Sequence, residues 1–358
     1  MHKGILFATI ALVIFGLIIL SSAGIVEGQK KFGSAYFYLK EQLLSGILPG
    51  LVAMAVLSKI DYKLWKKMSL PILFGALLLM ILVFIPQFGV GLKGASRWLN
   101  IYGFSFQPSE ALKLALIIYL AAWFGNRDSR IKNWTYGLAP FIIVLAFVGL
   151  LLMLQPDMGT FIVVSLIAGA MYFLAGFDFK KLLVVGLIGV VVVIVAIIFE
   201  PYRLNRVKAM LNPESDPRGM SYQLNQAQIA IGSGGMFGVG YGKSTQKMGF
   251  LPEVVNDSIF AVIVEELGFI GGIGTIFLYL ILTSILVGAS KKISDKFGQL
   301  LILGMAVWII GQAFINIGAI SGLLPLTGVP LPFISFGGTA MVVLLAGMGI
   351  VLNVSRKG

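Results

Sequence analysis

The chain has 358 residues, of which 58% are hydrophobic and only 12% charged, with a mean hydropathy of +0.97; this is the composition of a polytopic membrane protein and not of a soluble domain. There is no Cys, and the one histidine, His2, sits at the terminus, which excludes disulfides, thiolate nucleophiles, Cys or His metal sites and a Ser-His-Asp arrangement. The formal net charge is +12, and its placement between spans decides what it means.

Taking about 20 apolar residues as one crossing, the sequence reads as an all-α membrane protein with ten spans, at 5 to 24, 43 to 58, 69 to 86, 108 to 124, 137 to 154, 158 to 176, 182 to 199, 258 to 287, 299 to 320 and 336 to 353. The first resembles a cleavable signal, ending in Ser21-Ser22-Ala23, but with nine spans behind it it is read as an uncleaved helix. With both termini in the cytoplasm, the inner segments hold 15 Lys and Arg against four acids, a net of +11; the other 12 cations and 11 acids nearly cancel. The basic excess is therefore an orientation signal and gives no reason to expect nucleic acid. The chain reads as one domain, 1–358, with a large extracytoplasmic loop at 200–257 between the seventh and eighth spans and smaller outer loops at 87–107 and 321–335. Long loops on a rigid scaffold tend to carry function.

In chain order, the first candidates are Lys93 and Arg97, beside Trp98 in KGASRWL. Cations beside an anchoring aromatic suit a diphosphate-bearing amphiphile, and equally an anionic lipid surface. Lys113, in FQPSEALKL, lies one turn inside a span opened by Pro108, and Asp157 of LQPDMGT opens another. A buried Lys and Asp lower their joint desolvation cost by meeting, so a Lys113–Asp157 ion pair is expected, against the bland reading that Lys113 snorkels to the surface.

The outer loop adds Arg203, Arg206, Lys208 and Arg218, then the glycine-rich run IGSGGMFGVGYGKSTQK with Lys243, Ser244, Gln246 and Lys247. Such a run can aim backbone N–H groups at phosphate, or form a mobile re-entrant hairpin. It is not a P-loop, because the pattern needs glycine five residues before Gly242 and the chain has Phe237.

Asp257 closes this loop. Pro252 is a good helix-opening residue, so Glu253 and Asp257 are expected to share one face of the next span's first turns, each raising the other's pKa and making Asp257 a usable general base; the bland reading is that both acids complement a helix N-terminus. Glu265 and Glu266 lie two turns deeper. At about 100° per residue they are offset by about 80° and 180° from Asp257, so at least one is expected in an internal ion pair.

The strings KGASRWL, FQPSEALKL, LQPDMGT, AIGSGGMFGVGYGKSTQKMGFLPE, DSIFAVIVEELGFIG and LLPLTGVPLPFISFGGTAMVVLLAGMGIVLN resemble, in order and spacing, those of the SEDS (shape, elongation, division and sporulation) proteins, over about residues 40 to 356. The resemblance implies ten transmembrane helices in the bacterial cytoplasmic membrane. It also implies a peptidoglycan glycosyltransferase that polymerises lipid II on the outer face, releasing the polyprenyl diphosphate of the undecaprenyl-diphosphate-linked glycan. Asp257 stands at the family's essential Asp. GVGYGKSTQK, without a short insertion before its Gln, looks more like the division and sporulation branches than the elongation branch. The resemblance further implies a class B penicillin-binding protein as partner, among other divisome or elongasome membrane proteins. The chain departs from the family at Val255-Asn256-Asp257-Ser258, where His-Thr-Asp-Phe is common, and at Phe336, where Tyr is common. A divalent cation, Mg or Mn, is a candidate cofactor for the diphosphate. The rival readings are a transporter of the lipid-linked precursor, which ten spans and intramembrane charges also suit, and a non-catalytic scaffold.

Overall fold

The computed structural model describes residues 2–92, 95–101, 104–125, 139–176 and 220–357, with 183, 186, 187, 189, 204–206, 208 and 210. Helices occupy nine of the ten expected places among these residues: α1 His2–Ala23, α3 Phe37–Glu41 running through a wider π-turn at Gln42–Ile47 into α4 Leu48–Leu57, α6 Ser69–Leu82, α7 Pro108–Phe124, α8 Ala139–Leu154, α9 Met158–Leu174, α11 Ile259–Ser290, α12 Lys296–Ile320 and α13 Gly338–Lys357. The expected span at 182–199 lies outside the described residues. α1, Phe37–Leu57, α11, α12 and α13 are each long and apolar enough to cross a membrane.

Short helices mark both surfaces. On one, α2 Ile25–Phe32 follows α1. On the other, α5 Tyr62–Lys67 is capped by Asp61, which accepts from Lys63 N at 2.9 Å, and the side chain of Asn353 near the end of α13 ties down the same turn through Tyr62 N and Ser58 O.

The expectation of an all-α chain needs correction at 89–106. Here three antiparallel strands, β1 Gly89–Leu92, β2 Ala95–Ile101 and β3 Phe104–Phe106, form a small sheet in that order, with Val90 opposite Trp98, Leu99 opposite Phe106, and an irregularity between Val90 and Gly91. The segment was too short and too glycine-rich to show a clear period of two. The long segment expected on the outer side, 200–257, also contains a helix, α10 Met220–Ser233.

α12 is the centre of the molecule. It packs against α7, α9 and α11, and Leu300, Leu301 and Ile302, about 100° apart around its axis, are all fully buried, as expected of a helix apolar all round. α13 packs closely on α4: a Cβ on Gly349 would fall 2.6 Å from Met54 O, so the small side chain is what lets the two backbones approach.

α11 is not one continuous helix. Gly268 adopts φ +72°, ψ −170° and interrupts it. Phe269 N and Ile270 N, which would have bonded to Glu265 O and Glu266 O, bond instead to Gly235 O and Met236 O, while those two glutamate carbonyls accept from Val239 N and Gly240 N. Breaking two intrahelical bonds thus provides four bonds to the glycine-rich loop, whose backbone would otherwise be unsatisfied at a level about 10 Å along α11 from its first residue.

Candidate functional site

The segment Thr245–Ser258 brings the chain from the glycine-rich loop to α11. Glu253 has a positive φ of 54°, which a right-handed helix cannot contain, so residues 252–258 are a run of turns folded over the Glu253 carbonyl, which accepts from Asn256 N and Ser258 N. α11 therefore begins at Ile259, and Glu253 and Asp257 do not share a helix face as expected. Their electrostatic relation survives: burial pushes the Asp257 carboxyl up to about 6, with the Glu253 charge as the next contribution, against opposing effects of its own backbone, Gln223 and Arg206.

Asp257 is held from three sides. Gln223 of α10 donates to its Oδ1 at 3.3 Å and to Ser258 Oγ at 3.0 Å. Asn316 of α12 donates Nδ2 to the Asp257 carbonyl at 2.9 Å and to Val329 O at 2.8 Å. The third side is the strap 326–337. Its carbonyls are fixed one after another: Leu326 O by Arg206 Nη1 at 2.8 Å, Val329 O by Asn316, Pro330 O by Gln312 Nε2 at 2.9 Å and Pro332 O by the Tyr279 hydroxyl at 2.5 Å. Further along, Ser335 Oγ donates to Asn256 O, Phe336 N donates to Val255 O, and Gln42, in the π-turn, accepts from Gly337 N. Phe336, at the family's Tyr position, packs edge-on against Tyr38 with ring centres 5.0 Å apart. Gly328, with φ +70°, lies where the strap meets Asp257 and Arg206.

Of the outer-loop cations, Arg206 is thus brought beside Asp257. Lys93 and Arg203 lie outside the described residues. Arg97 is not open to substrate as expected: its guanidinium donates to Gln155 O at 3.0 Å and to Pro156 O, fastening β2 to the turn between α8 and α9. Lys243 is exposed.

The other glycine-rich loop candidates are employed internally. The N–H groups of Gly242 and Ser244 point at Glu266 and those of Thr245 and Gln246 at Glu265, so they face fixed carboxylates and not an incoming phosphate. Ser244 Oγ donates to Glu265 at 2.5 Å. Lys247, 3% exposed, pairs with Glu266 at 2.6 Å and donates to Ser22 Oγ, which itself donates to Glu266. Tyr241 reaches Ile18 O, and Lys30 reaches Met248 O. The loop is consequently docked between α1 and α11. Glu266 forms the expected internal ion pair, and both carboxylates also stand in for the solvent the loop backbone lacks.

The expected Lys113–Asp157 pair does not form. Lys113, 1% exposed, pairs with Glu110 one turn earlier on α7 at 2.8 Å, donates to Gln312 Oε1 at 2.8 Å and lies 5.0 Å from the centre of the Trp308 ring. Asp157 caps α9 through Thr160 N and Thr160 Oγ1. A carboxylate three residues along the same helix is nearer than one across the bundle, and an N-cap already satisfies Asp157. Through Gln312, which also accepts from Trp308 Nε1 at 2.7 Å, the Lys113 charge is linked to the strap at Pro330.

Gln223, Gln312 and Asn316 were not singled out from the sequence. The signal was present in the last two: carboxamides four residues apart inside an apolar span share a face and need partners.

Comparison with known proteins places this geometry in context. The chain matches the family model described as cell cycle protein, of FtsW, RodA and SpoVE, over residues 3–358. It is 40% identical over 351 residues to a probable peptidoglycan glycosyltransferase FtsW of Trichlorobacter lovleyi, covering 98% of this chain and 92% of that one. It is 38% identical over 353 residues to stage V sporulation protein E of Bacillus subtilis, covering 97% and 95%. Among solved structures, a chain of a peptidoglycan synthase complex that coordinates polymerization and crosslinking superposes with a TM-score of 0.82 at 28% identity, covering 99% of this chain and 97% of that one. The rod shape determining protein RodA of Thermus thermophilus superposes with a TM-score of 0.73 at 27% identity, covering 99% and 96%.

Proposed function

The chain belongs to the FtsW, RodA and SpoVE family of cell cycle proteins, and we infer that it is a multi-pass membrane peptidoglycan glycosyltransferase polymerising lipid II into glycan strands, with Asp257 as its general base. The relatives named as glycosyltransferases support the activity, and the greater likeness to FtsW and the sporulation protein than to RodA supports the division or sporulation branch. The inner excess of Lys and Arg supports a bacterial cytoplasmic membrane location with both termini inside and 200–257 outside, in one domain spanning 1–358.

The observation that carries the chemistry is a carboxylate and a guanidinium facing one small space. Asp257 Oδ2 and Arg206 Nη2 lie 4.0 and 3.9 Å from the position a Gly328 Cβ would take. The upward-shifted carboxyl suits proton abstraction near neutral pH, and the guanidinium suits a diphosphate oxygen. The acceptor's 4-hydroxyl gives its proton to Asp257 as its oxygen attacks the donor's anomeric carbon; the bond from that carbon to the diphosphate oxygen breaks, and Arg206 steadies the departing charge. A single displacement inverts the anomeric centre and needs no glycosyl-enzyme. Glu253 tunes the base.

Among the described residues, no three Asp, Glu or His side chains converge. The described carboxylates thus form no cation cage of their own, and no step is routed through a metal. A class B penicillin-binding protein is the natural partner, since the solved neighbour is a chain of a synthase complex that couples polymerization to crosslinking.

The test is polymerisation of lipid II by purified protein with its transpeptidase. Asp257→Asn is expected to bind lipid II and make no strands; strands at near parental rate would remove Asp257 from the mechanism. Product strands also separate this reading from a precursor transporter or a scaffold, neither of which makes them.

A further inference from the structure

Gly328 has φ +70°, and its absent side chain points into the space between the base and the cation. Apart from Asp257 Oδ2 and Arg206 Nη2, no described atom outside its chain neighbours lies within 4 Å of a Cβ placed there. The backbone that presents this bare α-carbon cannot yield easily, because the carbonyls of Leu326, Val329, Pro330 and Pro332 on either side are each held by a side chain from another element. Two buried oxygens, on the strap and on its anchor in α12, have no hydrogen-bond partner among the described residues. One is Thr327 Oγ1, on the neighbouring residue; the other is Asn316 Oδ1, on the carboxamide that holds the Asp257 carbonyl. Buried polar atoms without partners are rare, and each calls for a partner such as an ordered water or an ion.

We propose that Gly328 is a specificity-determining position for the acceptor. Its bare α-carbon is the floor on which the attacking hydroxyl is seated between Asp257 and Arg206. The inference rests on the reading of Asp257 as base and Arg206 as the diphosphate's partner, and goes further by assigning the surface that sets how closely a hydroxylated ring can approach them. The seated hydroxyl loses its proton to Asp257 and forms the new bond to the donor carbon; the diphosphate leaves with the old bond's electron pair toward Arg206.

A side chain at this position would do two things, fill the space and strain the backbone, and the experiment separates them. Gly33, at the end of α2, has nearly the same φ, +69°, and nothing described within 4 Å of its Cβ position. Gly33→Ala thus carries the strain without the obstruction. Asn tolerates the left-handed region better than Ala but is larger. With lipid II and the intact complex with its transpeptidase, Gly328→Ala is expected to lose at least tenfold in polymerisation rate, and Gly328→Asn at least as much as Gly328→Ala. Gly33→Ala is expected to stay within twofold of the parent, and all three variants to keep thermal midpoints within a few degrees of one another. Polymerisation by Gly328→Asn faster than by Gly328→Ala would mean that strain is the cause and would overturn the proposal, as would a Gly328→Ala rate equal to that of Gly33→Ala. Should Gly328→Ala fail to fold, the comparison of Gly328→Asn with Gly33→Ala decides alone. Asp257→Asn in the same assay keeps the two readings apart. An active Asp257→Asn defeats the base assignment, whereas an inactive Asp257→Asn beside an active Gly328→Asn defeats only the role of Gly328.

Discussion

Asn316 holds the main-chain carbonyl of Asp257 at 2.9 Å and that of Val329 at 2.8 Å with one amide group, 2% exposed. Asp257 and the strap facing it are therefore fixed to the same side chain of the central helix, and their separation is set by α12. Replacing Asn316 by Ala leaves two buried carbonyls short of a donor, at a cost of about 1–3 kcal/mol in stability. The larger effect is expected in turnover. A displaced base loses alignment steeply, so polymerisation should fall about ten- to a hundredfold with lipid II affinity within about threefold of the parent. Single-turnover polymerisation with a separate binding measurement checks the split; equal losses in both would show Asn316 to be merely structural.

The titration of Asp257 predicts a pH dependence with a definite sign. Its folded pKa, about 6, lies above the ordinary carboxylate value of 3.8. As a base it must be ionised, so the rate is expected to fall about tenfold per unit as pH drops below about 6. For stability, a raised carboxyl pKa means that the ionised form is disfavoured in the fold. The penalty is absent below pH 3.8, grows between 3.8 and about 6 and is fully present above it. Asp257→Asn should accordingly be more stable than the parent at pH 7.5, by about 1–2 kcal/mol after allowance for the group's partial exposure, with the advantage shrinking toward pH 4. Thermal unfolding in detergent at the two pH values checks it, and an advantage that does not change with pH would contradict the burial of this carboxyl.

The pairing of Lys113 with Glu110 makes a compensation test. Lys113→Met alone strands the Glu110 carboxylate, 1% exposed, and is expected to cost about 3–5 kcal/mol. Adding Glu110→Gln removes the stranded charge and should restore most of the loss. Exchanging charges between positions 113 and 157 should restore nothing, because Asp157 is bonded to Thr160. Unfolding midpoints of the two double variants measure this directly.

Much of the fold was legible because an apolar run of span length has one stable solution in hydrocarbon, where the backbone must bond within its own helix. The span expected at 108–124 matches α7 Pro108–Phe124 residue for residue, since Pro108 opens it and Gly125 follows it. Where the backbone finds partners outside its own helix, the pattern was silent. The break at Gly268 is one case: four bonds to the glycine-rich loop repay it, and nothing in VIVEELGFIGG distinguishes a helix that opens there from one that continues.

The cations illustrate the same limit. Lys247 and Arg206 look alike in the outer segment, yet one is buried against Glu266 and the other stands beside Asp257. Charge type said that each needed a partner, but a partner 19 residues away and another 51 away are equally possible to a chain whose path is not yet known. Electrostatic pairing depends on distance in space, and the sequence lists only distance along the chain.

Residue chemistry alone determined that this is a membrane protein with no cysteine and no interior histidine to draw on; it singled out Asp257 as the candidate base proposed above and an orientation with the basic loops inside. Those conclusions follow from transfer free energies and from which groups exist at all, and both are properties of composition and local order. The tertiary structure decided that Glu253 acts on Asp257 through space and not along a helix, that Asn316 and the strap hold Asp257 in place, and that Gly328 leaves room between Asp257 and Arg206. The last two are meetings of segments remote in sequence, fixed by hydrogen bonds that exist only once the helices have packed, and the first depends on how the turns at 252–258 fold.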